Sequence, residues 1–533
     1  MTTFRSFGAP GVRSFMKRMV SSFAVVVSLM TAGAVSADGG ALEVKALASY
    51  RTGLFDRGAA EIPAFDPVSK RLFVVNGASN EVDVLDIADP GNPRLAFSIP
   101  LTDYGASPTS VSVHDGMLAV AVVADPKTAP GRIAFFDVDG RSLGTVESGA
   151  LPDMVTFTPD GRRVLAANEG EPSDDYQIDP EGSVTIIELA DDRTNIAAAH
   201  VTTAGFGDFE AELPGMRLFG PRATFAQDVE PEYIAVSPDS TRAWVTLQEN
   251  NAIAEVDLLA GEVSAIHGLG WRSGVAFDAS DKDGAVNFRK WPVFGMYQPD
   301  TIASYTTDGG IYLLTANEGD SRDYDGFSEE ARVADLRLDP AAFPDAEALQ
   351  DKRALGRLKV TTTEGDDDRD GDYDALYAYG TRSFSIWKTD GTLVYDSGDE
   401  IERMLAERFP DDFNSNSDEN GSFDDRSDDK GPEPEGIAVG IVDGIPYAFV
   451  GLERMGGVVV YDISDVTRPR FVDYVENRNF SGDPKADTAG DLAPEGLLFV
   501  SADESPDGTA LLVAANEVSG SVTLYRLAQA ATN

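Results

Sequence analysis

The sequence from Ala493 to Leu527 reads APEGLLFVSADESPDGTALLVAANEVSGSVTLYRL, and this stretch decides the fold. It contains three apolar alternating runs, separated by a Pro-Asp-Gly turn and by the pair Asn516-Glu517. Short alternating runs bounded by Gly, Pro and Asp indicate half-buried antiparallel strands joined by tight turns. The stretch therefore predicts three consecutive strands of one sheet.

The same pattern occurs seven times along the chain. Besides the copy at Ala493, full copies begin at Leu151, Glu230, Gln298 and Glu433, and looser copies span Ile62–Ile87 and Ser107–Val138. A repeated unit of three or four strands cannot bury its apolar face alone and stacks on its neighbours. For antiparallel units, a closed propeller leaves only short protected edges. We therefore predict an all-β fold, a seven-bladed β-propeller with long loop insertions, in which the run beginning at Leu42 closes the ring.

Residues 1–37 have the pattern of a secretory signal peptide. Basic residues between Arg5 and Arg18 precede the short apolar run Val20–Met30, and Val35-Ser36-Ala37 forms a small-residue cleavage site. The apolar run is too short for a membrane span, and no later run approaches ~18 continuous apolar residues. We expect a signal peptide at 1–37, a single propeller domain at 38–533, no transmembrane span, and export to the periplasm or the extracellular space.

The composition excludes several functional classes. The chain has 43 basic and 90 acidic residues, no cysteine and three histidines. Its strongly negative surface repels nucleic acid and anionic lipid, so we expect no nucleic-acid partner. The absence of cysteine excludes thiolate chemistry and Cys-ligated zinc, and three dispersed histidines do not supply the zinc site of a conventional alkaline phosphatase. The acidity indicates either adaptation to a salty exterior or carboxylates that bind divalent cations.

Four longer segments carry a resemblance to a known family. They are ANEGEPSDDY (167–176), NEGDSRDYDGFSEEARV (317–333), YGTRSFSIW (379–387) and DDRSDDKGPEPEG (424–436). These segments resemble signatures of the choice-of-anchor I proteins, a bacterial family similar to the mesenchyme-specific cell-surface glycoproteins of animals. Some members are described as atypical alkaline phosphatases. The resemblance covers Leu42 to Leu527 and implies an exported propeller-like domain, a link with calcium and mineralisation, and a phosphatase label.

Two acidic positions repeat in the five full copies. One follows the proline that opens the first strand, and the other follows the second strand. The first set is Asp153, Glu232, Asp300, Glu435 and Glu495, and the second set is Glu169, Glu249, Glu318, Glu453 and Glu517. Their separation of 16 to 22 residues is about what one hairpin takes to return. We therefore expect both sets at the same end of the ring, near the central channel.

Oxygen-rich rings of this kind suit Ca²⁺ or Mg²⁺, and we predict Ca²⁺. The predicted ligands in the repeats and their neighbouring loops are Glu169, Glu171, Glu318, Asp320, Glu433, Glu435, Glu453, Glu495 and Glu517. The alternative is that the Pro-acid and Asn-Glu pairs are turn chemistry that caps backbone amides between blades.

A separate calcium loop is predicted in the long insertion of the fifth copy. Its acidic residues are Asp366, Asp368, Asp370 and Asp372. They match the D-x-D-x-D-G opening of a calcium loop, but the twelfth position is Tyr377, where an EF-hand requires Glu. We therefore predict a loop completed by Asp374 or by a remote ligand, with a solvated acidic run as the alternative. Asn416, Asp418 and Asn420 form a weaker echo of the same pattern.

Four basic residues embedded in acidic loops are candidates for a phosphate clamp, namely Arg322, Arg382, Arg426 and Lys430. Arginine binds phosphate or carboxylate bidentately, so the alternative is that each one pairs with a nearby acid. A clamp requires all four to meet in one cleft with Glu169, Glu318 and Glu435.

Two functions follow from these patterns. The first is an exported calcium-binding propeller with a binding, surface or mineral- and phosphate-handling role. The second is a calcium-dependent phosphoesterase of the atypical alkaline-phosphatase type. The expected partners are divalent cations together with phosphate esters or extracellular polymers, and we expect a monomer.

Overall fold

Six of the seven sequence copies form the first three strands of a four-stranded antiparallel sheet, and the copy that begins at Gln298 forms the first two. The computed structural model describes residues 42–529, and the predicted signal peptide lies outside this range. In the last copy, Leu497 pairs with Ala514 and Ala514 pairs in turn with Thr523. The alternating apolar residues of these strands are buried, which is why the pattern was visible in the sequence.

The strands of the described chain have the following bounds. They are β1 (Leu42–Arg51), β2 (Pro63–Asp66), β3 (Arg71–Asn76), β4 (Glu81–Asp86), β5 (Arg94–Pro100), β6 (Ser107–His114), β7 (Met117–Val123), β8 (Pro130–Asp137), β9 (Ser142–Ala150), β10 (Pro152–Phe157), β11 (Arg163–Asn168), β12 (Ser183–Glu188), β13 (His200–Gly205), β14 (Pro231–Val236), β15 (Arg242–Leu247), β16 (Ala252–Asp257), β17 (Glu262–Gly268), β18 (Trp271–Arg272), β19 (Ala276–Phe277), β20 (Arg289–Lys290), β21 (Phe294–Met296), β22 (Ile302–Thr307), β23 (Gly310–Asn317), β24 (Asp323–Tyr324), β25 (Phe327–Ser328), β26 (Glu330–Arg332), β27 (Lys359–Thr361), β28 (Tyr377–Ala378), β29 (Ser383–Lys388), β30 (Leu393–Asp396), β31 (Pro434–Val442), β32 (Ile445–Leu452), β33 (Val458–Asp462), β34 (Arg470–Val475), β35 (Pro494–Val500), β36 (Leu511–Asn516) and β37 (Ser521–Gln529).

Helices are few and short. The α-helices are α1 (Phe225–Asp228), α2 (Ala346–Leu349) and α3 (Glu400–Arg408), and 3₁₀ turns span Gly77–Ser79, Ile196–Ala198, Val333–Asp335 and Pro484–Ala486. Within residues 42–529, no helix combines the length and the apolar character needed to cross a membrane.

The four-stranded sheets form a closed ring. Seven such sheets occur in residues 42–529, and we number them as blades 1 to 7 from the sheet that begins with β2. Their first strands touch in the cyclic order β2, β6, β10, β14, β22, β31, β35 and back to β2. Blade 5 takes its third and fourth strands, β29 and β30, from beyond a long insertion. The described chain is a β-propeller, and the predicted all-β propeller fold is confirmed.

The ring is closed by pairing between the first and the last strand of the described chain. β1 is the fourth strand of blade 7 and pairs antiparallel with β37, from Leu42 opposite Gln529 to Arg51 opposite Ser521. The predicted closing role of the run that begins at Leu42 is therefore confirmed. Closure of this kind leaves no long unpaired edge in the ring.

The insertion of blade 5 contains little helix. Alanine and leucine have high helix propensity and are frequent in Pro340–Leu358, but only α2 forms there. Phe343, Leu355 and Leu358 are buried in a small separate core. Asp345 and Asp351 begin the short turns between them, since their carbonyl oxygens accept hydrogen bonds from later amides. Packing of these side chains overrides the helix propensity of the segment.

Candidate metal centre in the central channel

A β-bulge positions the acidic residue at the start of most blades. β10 and β11 pair at Pro152 with Asn168 and again at Val155 with Ala166, so the inner strand carries one extra residue. Blades 4, 6 and 7 have the same shift directly after the opening proline. A bulge bends the strand and changes the direction of a side chain. The acid after the proline lies within this bulge.

The residue before the proline fixes the second acidic position. Leu151 and Ala493 have positive φ angles of 48° and 58°. Their carbonyl oxygens accept hydrogen bonds from the backbone N–H of Glu169 at 3.0 Å and of Glu517 at 2.8 Å. The two acidic sets therefore lie at the same end of each hairpin, as their separation in the sequence predicts.

The asparagine of the Asn-Glu pair is the structural member of the pair. Asn168 is fully buried, and its Nδ2 donates to Ser183 Oγ at 3.2 Å and to Thr185 Oγ1 at 3.0 Å. Asn516 makes the equivalent bond to Ser521 Oγ at 3.2 Å. The asparagine thus joins the second and third strands of its own blade. The following glutamate makes no such side-chain bond to the next strand.

The inner strands surround one central cavity of about 40 Å³. Residues from six blades line it, namely Ile62, Thr109, Ser110, Asp153, Met154, Tyr233, Asp300, Thr301 and Glu495. Carboxylates from blades 3, 5 and 7 therefore face the same space. Blade 6 reaches the lining indirectly, because Thr301 Oγ1 donates to the carbonyl oxygen of Glu435.

Burial and mutual repulsion raise the pKa values of the channel carboxylates. Burial, together with Glu171, raises the pKa of Asp153 to about 7. Burial, together with Glu517, Asp153 and other acids, raises the pKa of Glu495 to about 8. For the same two reasons the pKa values of Glu232, Asp300 and Glu435 lie well above their usual range. A neutralising cation would therefore favour ionisation of this ring.

Three carboxylates come close enough to share one ion. Single oxygens of Asp300, Glu318 and Glu435 all lie within 4.8 Å of one another, across the boundary between blades 5 and 6. Glu435 Oε2 is buried and has no hydrogen-bond partner in the described residues. Glu318 Oε2 accepts from Gln248 Nε2 at 3.0 Å. We call these three residues the channel triad.

A second acidic group beside the triad already has its own cations. Oxygens of Glu318, Glu433 and Glu453 lie within 4.8 Å of one another. Lys430 Nζ lies 2.5 Å from Glu318 Oε1 and 3.2 Å from Glu433 Oε2. Arg454 Nη1 lies 2.6 Å from Glu453 Oε1. These cations neutralise the group, so the triad is the better candidate for a metal.

The four predicted clamp residues do not share one set of ion-pair partners. Arg426 Nη2 and Lys430 both contact Glu433, at 2.5 and 3.2 Å. Arg322 is 2% exposed and instead pairs with Asp228 at 2.6 Å and with Glu230 at 3.1 Å. Arg322 is therefore a buried link between loops.

Arg382 also has a structural environment. Its Nη1 donates to Glu402 Oε1 and to the carbonyl oxygen of Asp278, both at 2.8 Å. Its Nη2 donates to the carbonyl oxygens of Ser427 at 2.8 Å and of Asp429 at 2.7 Å. Both Nη atoms of Arg382 thus donate to protein oxygens, one of them a carboxylate, as the alternative of pairing with a nearby acid predicts.

Three further predicted ligands of the repeat loops, Glu169, Glu171 and Asp320, are not among the residues that line the central cavity in 42–529. Glu171 forms an ion pair with Lys127, and Asp320 has a side chain 51% exposed at 3.9 Å from Lys430 Nζ. Burial, followed by the charges of Glu171 and other acids, raises the pKa of Glu169 well above its usual range. In residues 42–529, Glu169, Glu171 and Asp320 do not belong to any group of three carboxylates whose oxygens lie within 4.8 Å of one another.

The acidic insertion loop brings together three of its carboxylates. Oxygens of Asp366, Asp368 and Asp374 lie within 4.8 Å of one another, so Asp374 takes the position predicted for a completing ligand. Asp372 instead lies 2.9 Å from Arg337 Nη2. The carboxyl group of Asp370 is likewise outside the group of three, while its N–H donates to Asp366 Oδ1 at 3.1 Å.

The weaker echo at 416–420 encloses a side chain. Arg478 Nη2 donates to the carbonyl oxygens of Asn416 at 2.7 Å and of Glu419 at 3.0 Å, and to Asn420 Oδ1 at 3.0 Å. A guanidinium therefore lies where the pattern suggested an ion.

Sequence reasoning missed two residues of the channel. Burial, followed by the charges of Glu495, Glu517 and Asp153, raises the pKa of Glu61 to about 9. Glu61 precedes the strand of a loose copy that lacks the Pro-acid pair, so the pattern did not single it out. Arg454 directly follows a repeat acid, and a basic residue at that position was the available signal.

A protein-family model and known proteins match parts of this sequence. The sequence model of the choice-of-anchor I domain matches residues 61–466. The chain belongs to the choice-of-anchor I family. This choice-of-anchor I chain is 33% identical over 195 residues to gigasin-3a of Magallana gigas, covering 34% of the chain and 67% of gigasin-3a. It is 29% identical over 282 residues to the mesenchyme-specific cell surface glycoprotein of Strongylocentrotus purpuratus, covering 46% of the chain and 36% of that glycoprotein.

Solved structures similar to the choice-of-anchor I chain have low sequence identity. Kuenenia stuttgartiensis hydrazine synthase has a TM-score of 0.45 at 13% identity, with 91% of this chain and all (100%) of that chain covered. The β-propeller domain of Cps50 (Swd1) from Myceliophteria thermophila has a TM-score of 0.44 at 10% identity, with coverage of 91% and 99%.

Proposed function

We propose that this choice-of-anchor I protein is an exported calcium-binding β-propeller that acts at the cell surface or in the extracellular space. The observation that carries the proposal is the channel triad, Asp300, Glu318 and Glu435, whose oxygens lie within 4.8 Å of one another. The printed name of the sea-urchin relative, a cell surface glycoprotein, supports the location. The signal-like pattern at 1–37 supports export.

The charge balance of the channel supports a divalent cation. Asp300 and Glu435 form no ion pair with any residue in 42–529, and Glu318 shares a single lysine with Glu433. Buried like charges repel one another unless a cation lies between them. A bound Ca²⁺ would remove this repulsion and satisfy the unpartnered Glu435 Oε2.

The type of ligand supports calcium over a softer metal. The triad offers carboxylate oxygens only, which hard cations prefer, and Ca²⁺ accepts 6–8 oxygens in flexible geometry. Neighbouring carboxylates and water can complete such a shell. Calcium held in an acidic propeller fits a binding, surface or mineral-handling role.

The phosphoesterase alternative has less support. Arg322 and Arg382 are each engaged by carboxylates and carbonyl oxygens, so they are not free to bind a phosphate beside the triad. Lys430 and Arg426 neutralise Glu433. Hydrolysis of p-nitrophenyl phosphate by the wild-type chain, with calcium and then with EDTA, tests this alternative directly.

Calcium titration of the Glu435→Gln variant tests the proposal. Loss of an outer partner of a metal ligand costs about 10–100-fold in affinity, and we expect loss of a direct ligand to cost at least as much. Isothermal titration calorimetry on chelator-treated protein should show weakened binding in Glu435→Gln. The control Asp425→Asn removes an exposed carboxylate and should bind as the wild type does. Equal binding by all three proteins would overturn the proposed site.

A further inference from the structure

Lys430 is the one basic residue within 42–529 that forms an ion pair with the channel triad. Its Nζ lies 2.5 Å from Glu318 Oε1. Asp300 and Glu435, the other two members of the triad, have no ion pair in the described residues. The ammonium group of Lys430 therefore supplies the only full positive charge that contacts these three crowded carboxylates.

The backbone beside Lys430 is held in place by a buried arginine. Arg382 is 5% exposed, and its Nη2 donates to the carbonyl oxygens of Ser427 at 2.8 Å and of Asp429 at 2.7 Å. Lys430 directly follows this anchored stretch and is itself 9% exposed. The contact between Lys430 and the triad is thus built into the fold.

Two further carboxylates lie within reach of Lys430. Glu433 Oε2 is 3.2 Å from its Nζ, and Asp320 Oδ1 is 3.9 Å from it. Lysine carries its charge at the end of a flexible four-carbon stem, with three rotatable donors. The ammonium group can therefore leave Glu318 and still keep a carboxylate partner.

Lys430 and a metal ion at the triad compete for Glu318. Calcium binds carboxylate oxygens at about 2.3–2.6 Å, and Lys430 Nζ lies at a similar distance from Glu318 Oε1. The second oxygen, Glu318 Oε2, accepts from Gln248 Nε2 at 3.0 Å. Both oxygens of Glu318 thus have a donor already. Two cations on one buried carboxylate repel each other, because burial lowers the local dielectric constant.

We propose that Lys430 is a tethered counter-ion of the channel triad, which calcium displaces from Glu318 towards Glu433 and Asp320. This inference rests on the proposed calcium function of the triad. Lys430 neutralises the triad until calcium binds, so it stabilises the calcium-free chain and lowers the affinity for calcium. Lys430 is therefore a positioning residue that sets the strength of metal binding, and it is not a ligand.

A tethered ammonium group also discriminates between ions. A sodium ion carries the same charge as the ammonium group that it would displace, so this exchange adds no positive charge to the triad. A calcium ion adds one positive charge in the same exchange, and the attraction of the three carboxylates grows accordingly. Lys430 therefore favours divalent over monovalent ions.

Calcium titration of Lys430→Met tests this inference. Isothermal titration calorimetry with calcium chloride on chelator-treated protein measures Kd, and melting in EDTA measures the stability of the calcium-free chain. We expect Lys430→Met to bind calcium about tenfold or more tightly than the wild type, which is the size of effect that outer partners of metal ligands have. The same variant should melt at a lower temperature in EDTA. Lys430→Arg keeps the charge and should bind calcium with an affinity close to that of the wild type.

Lys359→Met is the matched control. Lys359 bridges Glu330 at 3.1 Å and Asp429 at 3.3 Å, and neither partner belongs to the triad. The variant removes one positive charge and two ion pairs, so it should also melt lower in EDTA, but it should bind calcium as the wild type does. Tighter binding combined with lower stability distinguishes a displaced counter-ion from an ion pair that is only structural.

A sodium series tests the discrimination between ions. Sodium chloride replaces choline chloride at constant ionic strength, and calcium Kd is measured at each step. Sodium should weaken calcium binding by Lys430→Met more than it weakens binding by the wild type. Equal weakening in the two proteins would overturn the discrimination by Lys430.

Lys430→Gln covers the case in which Lys430→Met does not fold in EDTA. Its amide can still donate to Glu318 but carries no charge, so it too should bind calcium more tightly than the wild type. An affinity equal to or below that of the wild type in the folded, uncharged variant would overturn this inference. Loss of calcium binding in Glu435→Gln would then leave the proposed function standing. Calcium binding that does not depend on Glu435 would overturn the proposed function, and this inference with it.

Discussion

Glu433 is the residue on which the charges beside the channel converge. It is fully buried, at 0% exposure, and contacts Arg426 at 2.5 Å, Arg454 at 3.0 Å and Lys430 at 3.2 Å. Burial alone would raise the pKa of Glu433, but the three cations hold it well below its usual range. One anion thus organises three cations that would otherwise repel one another.

Substitution of Glu433 should be strongly destabilising. The Glu433→Gln variant removes the one anion that the three cations share, and each cation keeps only one close acidic partner, Glu318, Glu453 or Asp429. Breaking a buried ion pair from one side costs about 3–5 kcal/mol. We therefore expect urea to unfold Glu433→Gln at a lower midpoint concentration than the wild type, by an amount that corresponds to this loss in the free energy of unfolding. Glu419→Gln, an exposed position of the same loop segment, is the control and should change stability by less than ~0.5 kcal/mol. Similar midpoints for the two variants would contradict this account of the charge network.

At the residue scale, the sequence located the repeat acids but did not separate their roles. The Asn-Glu pair has two polar members, and only the fold shows that Asn168 joins strands while Glu169 stays near the channel. The clamp prediction treated Arg322 and Lys430 alike, although their partners come from residues far apart in the sequence, such as Asp228 and Glu318. A sequence pattern carries spacing, and partner choice depends on tertiary packing.

At the element scale, strands were predictable and insertions were not. Strand alternation and turn residues are local, so the repeat from Ala493 could be recognised directly. The insertion strands β18–β21 are only two or three residues long, and β21 also pairs with a distant segment, with Phe294 opposite Tyr377. The loop at 416–420 shows the same limit, because a distant side chain, Arg478, fills it.

The Arg478→Lys variant tests that loop. Arg478 is 7% exposed and donates to several carbonyl oxygens that a lysine ammonium cannot reach together. Loss of two or more such bonds should cost at least ~1–3 kcal/mol and loosen the segment 409–433. Limited proteolysis followed by mass spectrometry should show faster cutting there. Cutting at the wild-type rate would mean that the loop keeps its conformation without the guanidinium.

The closing strand offers a second test at this scale. Ser49 and Thr523 are register partners, and their hydroxyl oxygens lie 2.6 Å apart. Because the chain has no cysteine, the double variant Ser49→Cys and Thr523→Cys can form one defined disulfide. A bond that closes so long a loop should stabilise the fold by about 2–4 kcal/mol.

The reduced form of the same variant is its own control. We expect a higher melting temperature in the oxidised form than in the reduced form, and no such difference in the single variant Ser49→Cys. An unchanged melting temperature on oxidation would indicate that unfolding begins in another blade.

At the scale of the whole molecule, the channel makes stability depend on pH and calcium together. Burial and neighbouring acids raise the pKa values of Glu61 to about 9, Glu495 to about 8 and Asp153 to about 7. A raised pKa means that the folded chain binds more protons than the unfolded chain between about pH 4.5 and pH 9. The stability that these protonated carboxyl groups contribute is therefore fully present below about pH 4.5 and is lost as the pH rises from there to about pH 9.

Melting curves in EDTA and in calcium should show this linkage. Without calcium, the melting temperature should fall as the pH rises from 5.5 to 8.5, and calcium should raise it more at pH 8.5 than at pH 5.5. Glu61→Gln removes one titrating group of the ring, so its EDTA curve should fall less steeply. A calcium effect of equal size at both pH values would contradict a metal bound among these carboxylates.

The pairing of β1 with β37 also determines how the ring responds to pulling. Leu42 lies opposite Gln529, so a force applied across these two residues loads the hydrogen bonds of this ladder one at a time, in an unzipping geometry. Shearing, in which all bonds of a ladder resist together, does not arise. Tension on a tether at this rim would therefore release β1 first and open blade 7 while the other six blades remain folded.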